Sequence, residues 1–250
     1  MIEFTRAYSK SPRLLFGLNS VDAEGNRPRM MSLSKPEVTA KGFRIEASSL
    51  SMCNGFDMGC SWLTLPNDLH LETAMINTYA LNRETTDFEQ HVYFSQSFDA
   101  QPEVVVWFQE FEWPSNDWMS IKCSAVEINE HSFKLRIESW AGRRFKNARV
   151  QYLAYEKEDS NRIKSGRGHV TRQDKERDEG RVGFRGTTGT EFKGTPKTFI
   201  AISELDFNGA RNLRFRSEMK AVNNMEMTSK YGTWDDSDMD HGDIVWIAID

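Results

Sequence analysis

Residues 101–108 (Gln-Pro-Glu-Val-Val-Val-Trp-Phe) decide the fold, because the chain contains this kind of segment three times. The counterparts are residues 11–18 (Ser-Pro-Arg-Leu-Leu-Phe-Gly-Leu) and 195–202 (Thr-Pro-Lys-Thr-Phe-Ile-Ala-Ile). A shift of 90 residues takes the first proline to the second, and a shift of 94 takes the second to the third. Such a period indicates tandem copies of one structural unit.

Each copy also ends alike, at residues 62–65 (Trp-Leu-Thr-Leu), 152–155 (Tyr-Leu-Ala-Tyr) and 246–249 (Trp-Ile-Ala-Ile). The same two shifts relate these segments, so each match runs from proline to closing strand without a gap. Residues 104–108 form a continuous β-branched and aromatic run, while residues 132–138 alternate apolar and polar side chains. These patterns are typical of buried and half-exposed strands. The sequence therefore predicts an all-β protein of three tandem antiparallel β-sandwiches.

We place the three domains at residues 1–66, 67–156 and 157–250. The connectors at residues 66–90 and 156–180 are long enough for a further strand plus a loop, and residues 73–79 have the composition of such a strand. The first domain has no such lead-in, so it is shorter or a neighbour supplies its missing edge strand. An unpaired edge invites pairing with another chain.

Composition narrows the functional classes. The 250 residues carry a formal net charge of −5, and the pI is about 5.7. A nucleic-acid partner would normally require a basic excess, so we expect none. No apolar stretch approaches the ~20 residues of a membrane span, and no signal-peptide core is recognised at the N-terminus. The three cysteines have no metal-ligand spacing and suit a reducing cytoplasm, although a Cys53–Cys60 bridge stays open.

The third copy resembles a known family. Its Thr195-Pro196, Ile202–Asp206, Asn212-Leu213-Arg214, Thr233-Trp234-Asp235 and Trp246-Ile247-Ala248 segments are similar to the H-type lectin domain of snail agglutinins and of the discoidin C-terminal domain. The resemblance implies a six-stranded antiparallel β-sandwich that works as a trimer. It also implies binding of N-acetylgalactosamine or galactose where subunits meet. Three copies in one chain then predict a covalent pseudo-trimer, which could itself form a homodimer.

The resemblance assigns sugar contacts to Arg214, Trp234 and Asp235, with Asn212 beside them. The chemistry agrees, because the apolar C–H face of a galactose-type sugar stacks on an aromatic ring while its hydroxyls need fixed donors and acceptors. A core position for Trp234, or a rim salt bridge from Arg214 to Asp206 or Glu218, remains an alternative.

The other two copies depart from this pattern. Ser120 and Trp140-Ala141 replace the site residues in the second copy, and Met30 and Leu50-Ser51 replace them in the first. Trp140 and Trp118 could still offer stacking surfaces in the second copy. The family's acidic contact from a neighbouring subunit does not align, and we consider the connector residues Asp87, Asp174 and Asp178 for it.

Two other functions compete with a lectin. Asp236, Asp238 and Asp240 carry alternating carboxylates that calcium accepts, but without the full loop spacing, so a solvated acidic loop is the simpler interpretation. The five histidines do not recur between copies, and no catalytic motif is recognised, so we expect no enzyme and no required cofactor. A protein–protein interaction module that has lost most of its sugar sites is the main alternative.

Overall fold

A computed structural model describes residues 1–25, 28–34, 37–49, 57–79, 83–114, 118–157, 161–171, 180–184 and 191–250 of the chain. The described residues form β-strands and no α-helix. This confirms the predicted all-β class. In the same residues, no helix has the length and apolar character needed to cross a membrane.

The described residues contain nineteen strands, distributed over the three repeats. The first repeat contains β1 (Ile2–Glu3), β2 (Leu14–Ala23), β3 (Arg29–Leu33), β4 (Glu37–Val38), β5 (Gly42–Arg44), β6 (Ala47–Ser49) and β7 (Asp57–Thr64). The second contains β8 (Leu71–Asn77), β9 (Asp87–Tyr93), β10 (Glu103–Trp113), β11 (Met119–Val126), β12 (Ser132–Glu138) and β13 (Asn147–Tyr155). The third contains β14 (Ile163–Thr171), β15 (Gly180–Gly183), β16 (Lys197–Phe207), β17 (Leu213–Val222), β18 (Glu226–Gly232) and β19 (Met239–Ile249). Strand β8 confirms the predicted lead-in strand.

The large sheets are shared between repeats. Their orders are β6-β3-β10-β13-β8, β14-β19-β16-β11-β12-β9 and β15-β18-β17-β2-β7, with a small β1-β5-β4 sheet beside them. In each large sheet, the strand after the proline (β2, β10 or β16) pairs antiparallel with the following strand of another repeat (β17, β3 or β11). The first repeat pairs with the second, the second with the third, and the third with the first. The repeats therefore close a cycle by main-chain hydrogen bonding as well as side-chain packing.

We name these contacts the first–second, second–third and third–first junctions. The register across each junction is the same. The Cα partners are Glu112 with Met30, Asp206 with Ser120, and Asp22 with Arg214. The shifts of 90 and 94 residues relate these three pairs to one another, so the sequence period is also a period of the structure.

A β-bulge recurs at the same place in the strand after each proline. The pairing register shifts at Asn19, Gln109 and Ser203, which the sequence period makes equivalent. A bulge increases local twist and bends its strand. In β2, β10 and β16 the bulge comes just before the residues that pair with a strand of the neighbouring repeat.

The strands after the prolines also meet at the centre of the cycle. A Cβ on Gly17 would lie 2.4 Å from Cδ1 of Trp107 and 2.9 Å from Cβ of Ala201, three equivalent positions. Trp107 is fully buried there and donates its indole N–H to the carbonyl of Phe16 at 2.9 Å. One large and two small side chains thus fill a centre that three identical residues would overfill or leave empty.

Candidate functional site

At the third–first junction, Arg214 connects two repeats. It lies on β17, and its Nε donates to Oδ1 of Asp22 on β2 at 3.1 Å. Its Nη1 donates to Oδ2 of Asp235 at 2.7 Å and to Oδ1 of Asp236 at 2.5 Å. Desolvation lowers the pKa of Arg214, but the hydrogen bond to Asp22 and the three nearby carboxylates raise it above its usual value. Arg214 is therefore a permanent cation held by three carboxylates.

Asn212, two residues before Arg214, connects the same two repeats. Its Oδ1 accepts from the backbone N–H of Gly25 at 2.9 Å, and its Nδ2 donates to Oδ1 of Asp236 at 3.0 Å. Neither Asp206 nor Glu218, which the sequence suggested as Arg214 partners, has an ion pair with it. Their cationic partners are Arg143 and Lys220 respectively. Three residues of the predicted sugar site, Arg214, Asn212 and Asp235, therefore lie together at this junction with Asp22 and Asp236.

Trp234 immediately precedes Asp235 and is half-buried. The guanidinium carbon of Arg216 lies 5.3 Å from the centre of its ring, a cation–π distance. The next residue, Asp235, has a positive φ of 56°, and the equivalent Ala141 of the second repeat has 57°. The turn between β18 and β19 is therefore the same as the turn between β12 and β13, and it presents the side chain of Asp235 with 71% of its surface exposed.

The second–third junction contains a different arrangement around Asp206. This carboxylate of β16 is almost fully buried and accepts the indole N–H groups of Trp118 and Trp140, the latter at 2.9 Å. Nη1 of Arg143 donates to it at 2.9 Å. The guanidinium of Arg143 also lies 5.3 Å from the ring centre of Trp118. Trp118 and Trp140, the two possible stacking surfaces of the second repeat, therefore both hydrogen-bond to one acid of the third repeat.

Beside Asp206, a second buried acid closes the floor of a small cleft. Glu204 accepts from Nε2 of His241 at 2.8 Å, and Nζ of Lys122 lies 2.8 Å from its other oxygen. The His241 ring stacks on Trp140 with ring centres 5.5 Å apart and planes 10° apart. The cleft has a volume of about 340 Å³ and is also lined by Glu138 and Ser139.

The first–second junction is acidic as well but is neutralised from within the second repeat. Nζ of Lys146 lies 2.8 Å from Oε1 of Glu112, and Nη2 of Arg149 lies 2.7 Å from Oε2 of Glu110. The hydroxyl of Tyr79 donates to Glu110. Burial, together with this carboxylate, raises the pKa of Tyr79 to about 12. The first repeat offers Met30 at the position of Arg214, and its Leu50 and Ser51 lie outside the described residues.

The three residues considered as calcium ligands have different contacts in the structure. Asp236 contacts Arg214 and Asn212, and Asp238 accepts from Nδ2 of Asn208 at 3.1 Å. Asp240 instead lies near the second–third junction, where its carboxylate, that of Asp206 and a ring nitrogen of His241 lie within 4.8 Å of one another. The grouping expected from the acidic sequence is therefore not formed as one cluster.

The remaining candidates do not reach the third–first cleft or cannot be placed. Asp87 is exposed on β9 and is the register partner of Glu138, so it lies one strand beyond the second–third cleft. Asp174, Asp178 and Cys53 lie outside the described residues. Cys60 is a free thiol, and burial raises its pKa to about 11.

The sequence did not reveal that three acids lie at the junctions, each opposite a residue of another repeat. We expected an acid from a connector, but Asp22, Glu112 and Asp206 lie on the strand after each proline. The signal was present, because the shifts of 90 and 94 residues align these three positions and all three are acidic. What the sequence did not show is that this end of the strand pairs with a different repeat.

Comparison with known proteins gives one family. The family model described as H-type lectin domain matches residues 1–64, 89–155 and 189–249, one segment in each repeat. No curated protein matches the chain. Among solved structures, wild-type discoidin II from Dictyostelium discoideum has 13% identity and a TM-score of 0.30, covering 59% of this chain and 74% of that one. Native recombinant discoidin II of Dictyostelium discoideum has 12% identity and a TM-score of 0.29, covering 62% and 81%.

Proposed function

Because the chain belongs to the H-type lectin domain family, we propose that it binds terminal N-acetylgalactosamine or galactose-type sugars in clefts between its repeats. The third–first cleft, with Trp234, Arg214, Asp235, Asn212 and Asp22, is the principal site. The proposal gives the protein no enzymatic activity and no required cofactor. It also makes the three repeats act as a covalent pseudo-trimer.

One observation carries the proposal: Arg214 and Asp22 come from different repeats and meet as register partners beside a half-buried tryptophan. A sugar hydroxyl can donate to a carboxylate and accept from a guanidinium at once, because each group has spare hydrogen-bonding capacity. The exposed part of the Trp234 ring supplies an apolar surface for the C–H face of the sugar. A junction therefore offers what neither repeat has alone.

The hydrogen-bonding groups are fixed before a ligand arrives. Arg214 keeps only 18% of its side-chain surface exposed and is held by three carboxylates. A group already ordered loses little conformational entropy on binding, which favours affinity. A single monosaccharide site is nevertheless weak, so useful avidity requires several sites or copies to engage one glycan surface.

A glycan array tests the proposal. We expect the folded protein to bind galactose- and N-acetylgalactosamine-terminated glycans on the array. The Trp234→Ala variant should no longer bind them. Circular dichroism of both proteins controls for folding. Absence of any galactose-type ligand for the folded protein would contradict the proposal.

A protein–protein interaction module is the second candidate. The observation that favours it is the saturation of Glu112 and Asp206 by donors of the chain itself. In this case two of three junctions serve assembly, and galactose-type sugars leave the intrinsic tryptophan fluorescence unchanged. The low cysteine content leads us to propose a cytoplasmic location under either function.

A further inference from the structure

Strand β7 differs from its two equivalents in its pairing. The closing strand of the second repeat, β13, pairs with β10 on one side and β8 on the other. The closing strand of the third, β19, pairs with β16 and β14. Within the described residues, β7 pairs with β2 alone. The first repeat therefore has an unpaired edge where its siblings carry a lead-in strand.

The missing strand leaves an aromatic group uncovered. Phe4, Tyr8, Phe43 and Trp62, which we call the edge cluster, are equivalent to Phe94, Phe98, Phe133 and Tyr152 of the second repeat. Ring-centre distances agree between the two groups: 4.9 Å for Phe43–Trp62 and 5.0 Å for Phe133–Tyr152.

Exposure separates the two groups. Trp62 is 38% exposed and Tyr8 36%, whereas Tyr152 is 1% and Phe98 3% exposed. The same packing is therefore buried in one repeat and exposed in the other.

The sibling repeats show what covers such a cluster. In the second repeat, Ala74 of β8 is the register partner of Tyr152. In the third, Gly166 of β14 is the register partner of Trp246, and a Cβ on Gly166 would lie 2.5 Å from that indole. The covering element is thus an antiparallel strand with a small residue opposite the aromatic one.

The edge of β7 has room for such a strand. The segment that contributes Phe94 and Phe98 packs beside β8 in the second repeat. The equivalent segment with Phe4 and Tyr8 lines one side of an open groove of about 860 Å³ along Trp62, Leu63 and Thr64. The Tyr8 hydroxyl lies 2.9 Å from Oγ1 of Thr64 at the end of this groove. Because the N–H of Leu65 donates to Arg13, odd-numbered residues direct their backbone groups toward β2. The even-numbered residues Met58 to Thr64 direct theirs outward.

We propose that β7 of a second copy of this chain covers this edge, with the two strands antiparallel about a twofold axis at Ser61. This register places the small Cys60 of each copy opposite Trp62 of the other, as Ala74 and Gly166 stand opposite their aromatic partners. It joins the β15-β18-β17-β2-β7 sheets of the two copies into one sheet of ten strands, which is within the size of natural sheets. The pairing is the same for both copies, so it closes at a dimer.

Charge favours a second copy as the occupant. Residues 58–66 contain no charged side chain, so pairing the strand with itself brings no like charges together. By contrast, the outer strands of the siblings carry charges that discourage further pairing, such as Glu72 on β8 and the exposed Arg167 on β14.

The first test measures mass in solution. We expect sedimentation equilibrium to give twice the 28.9 kDa of the chain, with dissociation on dilution. Trp62→Lys should shift the protein to monomer, because it places two charges in the strand pair. Tyr93→Lys, at a 74% exposed aromatic residue of the edge strand β9, is the matched control and should remain dimeric. A monomer at every concentration would overturn the proposal.

The second test fixes the register without disturbing the fold. In a Cys60→Ser background, Ser61→Cys places two thiols opposite each other at the twofold axis, and mild oxidation should give a covalent dimer. Met58→Cys in the same background should stay monomeric on a denaturing gel, because its partner is Thr64 of the other copy. Equal cross-linking of both variants would contradict the register.

A peptide is the alternative occupant. A synthetic peptide with the sequence of residues 71–77 tests whether β7 accepts a free strand as β13 accepts β8. If this peptide binds a protein that stays monomeric, the edge accepts a free strand and the second-copy proposal is wrong. Sugar binding is read separately, because the proposed pairing uses Met58 to Thr64, whereas Asp57, the β7 residue beside Asp22, lies outside it.

Discussion

The third–first and second–third junctions are built on the same strand register but hold their acids differently. Asp22 keeps 36% of its side-chain surface exposed and forms an ion pair with one arginine. Asp206 keeps only 4% exposed and accepts hydrogen bonds from two indole N–H groups and one guanidinium. An exposed carboxylate can exchange partners with a ligand at little cost, whereas a buried one cannot. The comparison teaches that equivalent acids differ in exposure, and under the proposed function this difference separates a binding role for Asp22 from a structural role for Asp206.

The largest expected effect is on stability at the second–third junction. Asp206→Ala leaves the indole N–H groups of Trp118 and Trp140 and the Arg143 guanidinium without their common acceptor. Breaking one side of a buried charged network costs about 3 kcal/mol or more. Urea unfolding measures it. Asp22→Ala is the matched variant and should cost less than about 1 kcal/mol, because its ion pair is exposed. Equal losses in the two variants would erase the distinction between the junctions.

The next effect is on sugar affinity at the third–first junction. Trp234→Ala removes the stacking surface and should weaken N-acetylgalactosamine binding by at least about tenfold, or about 1.4 kcal/mol. Isothermal titration calorimetry measures it. Trp140→Ala, its equivalent in the second repeat, should leave this affinity within about twofold. A loss of binding in Trp140→Ala with Trp234→Ala unaffected would move the site to the other junction.

A smaller effect is expected from the acid that crosses the third–first junction. Asp22→Asn keeps the shape of the side chain but removes the charge that holds Nε of Arg214. The loss of one charge-assisted hydrogen bond should weaken sugar binding by about three- to tenfold. Fluorescence titration against the wild type gives the ratio. An unchanged affinity would show that the first repeat does not contribute to the site.

The smallest effect is expected from metal removal. Arg214, Asn212, Trp234 and Asp235 can satisfy a sugar without an ion, so a chelator should leave the affinity unchanged. Titration with and without EDTA compares the two states. Loss of binding in EDTA, restored by calcium, would instead support a metal role for the carboxylates around Asp236 and Asp240.

Much of the fold followed from the sequence because the period and the alternation of side chains are local properties. The closing strands and the lead-in strand β8 all lie where the patterns indicate. The pairing between repeats was not predictable in the same way. Arg214 and Asp22 are separated by 192 residues, and no local pattern states which strand will stand beside which. The role of Asp206 as the common acceptor at the second–third junction was missed for this reason.

Whether Arg214, Asn212 and Asp235 bind a sugar stays a prediction, but the structure does place them together: Arg214 contacts Asp235, and Arg214 and Asn212 share Asp236. The contact of Asp22 with Arg214 and the role of Asp206 depend on the bulges at Asn19 and Ser203, just before the two acids. A bulge inserts one extra residue, and nothing in the alternation of these segments marks it. The open edge of β7, in contrast, was foreseen from the missing lead-in.

One measurement tests the central claim most directly: a crystal structure of the protein with N-acetylgalactosamine. We expect the sugar between the third and first repeats, with its apolar face on the indole of Trp234 and its hydroxyls on Arg214, Asp235 and Asp22. A sugar held by residues of one repeat alone, or a fully occupied crystal with every junction empty, would contradict the account.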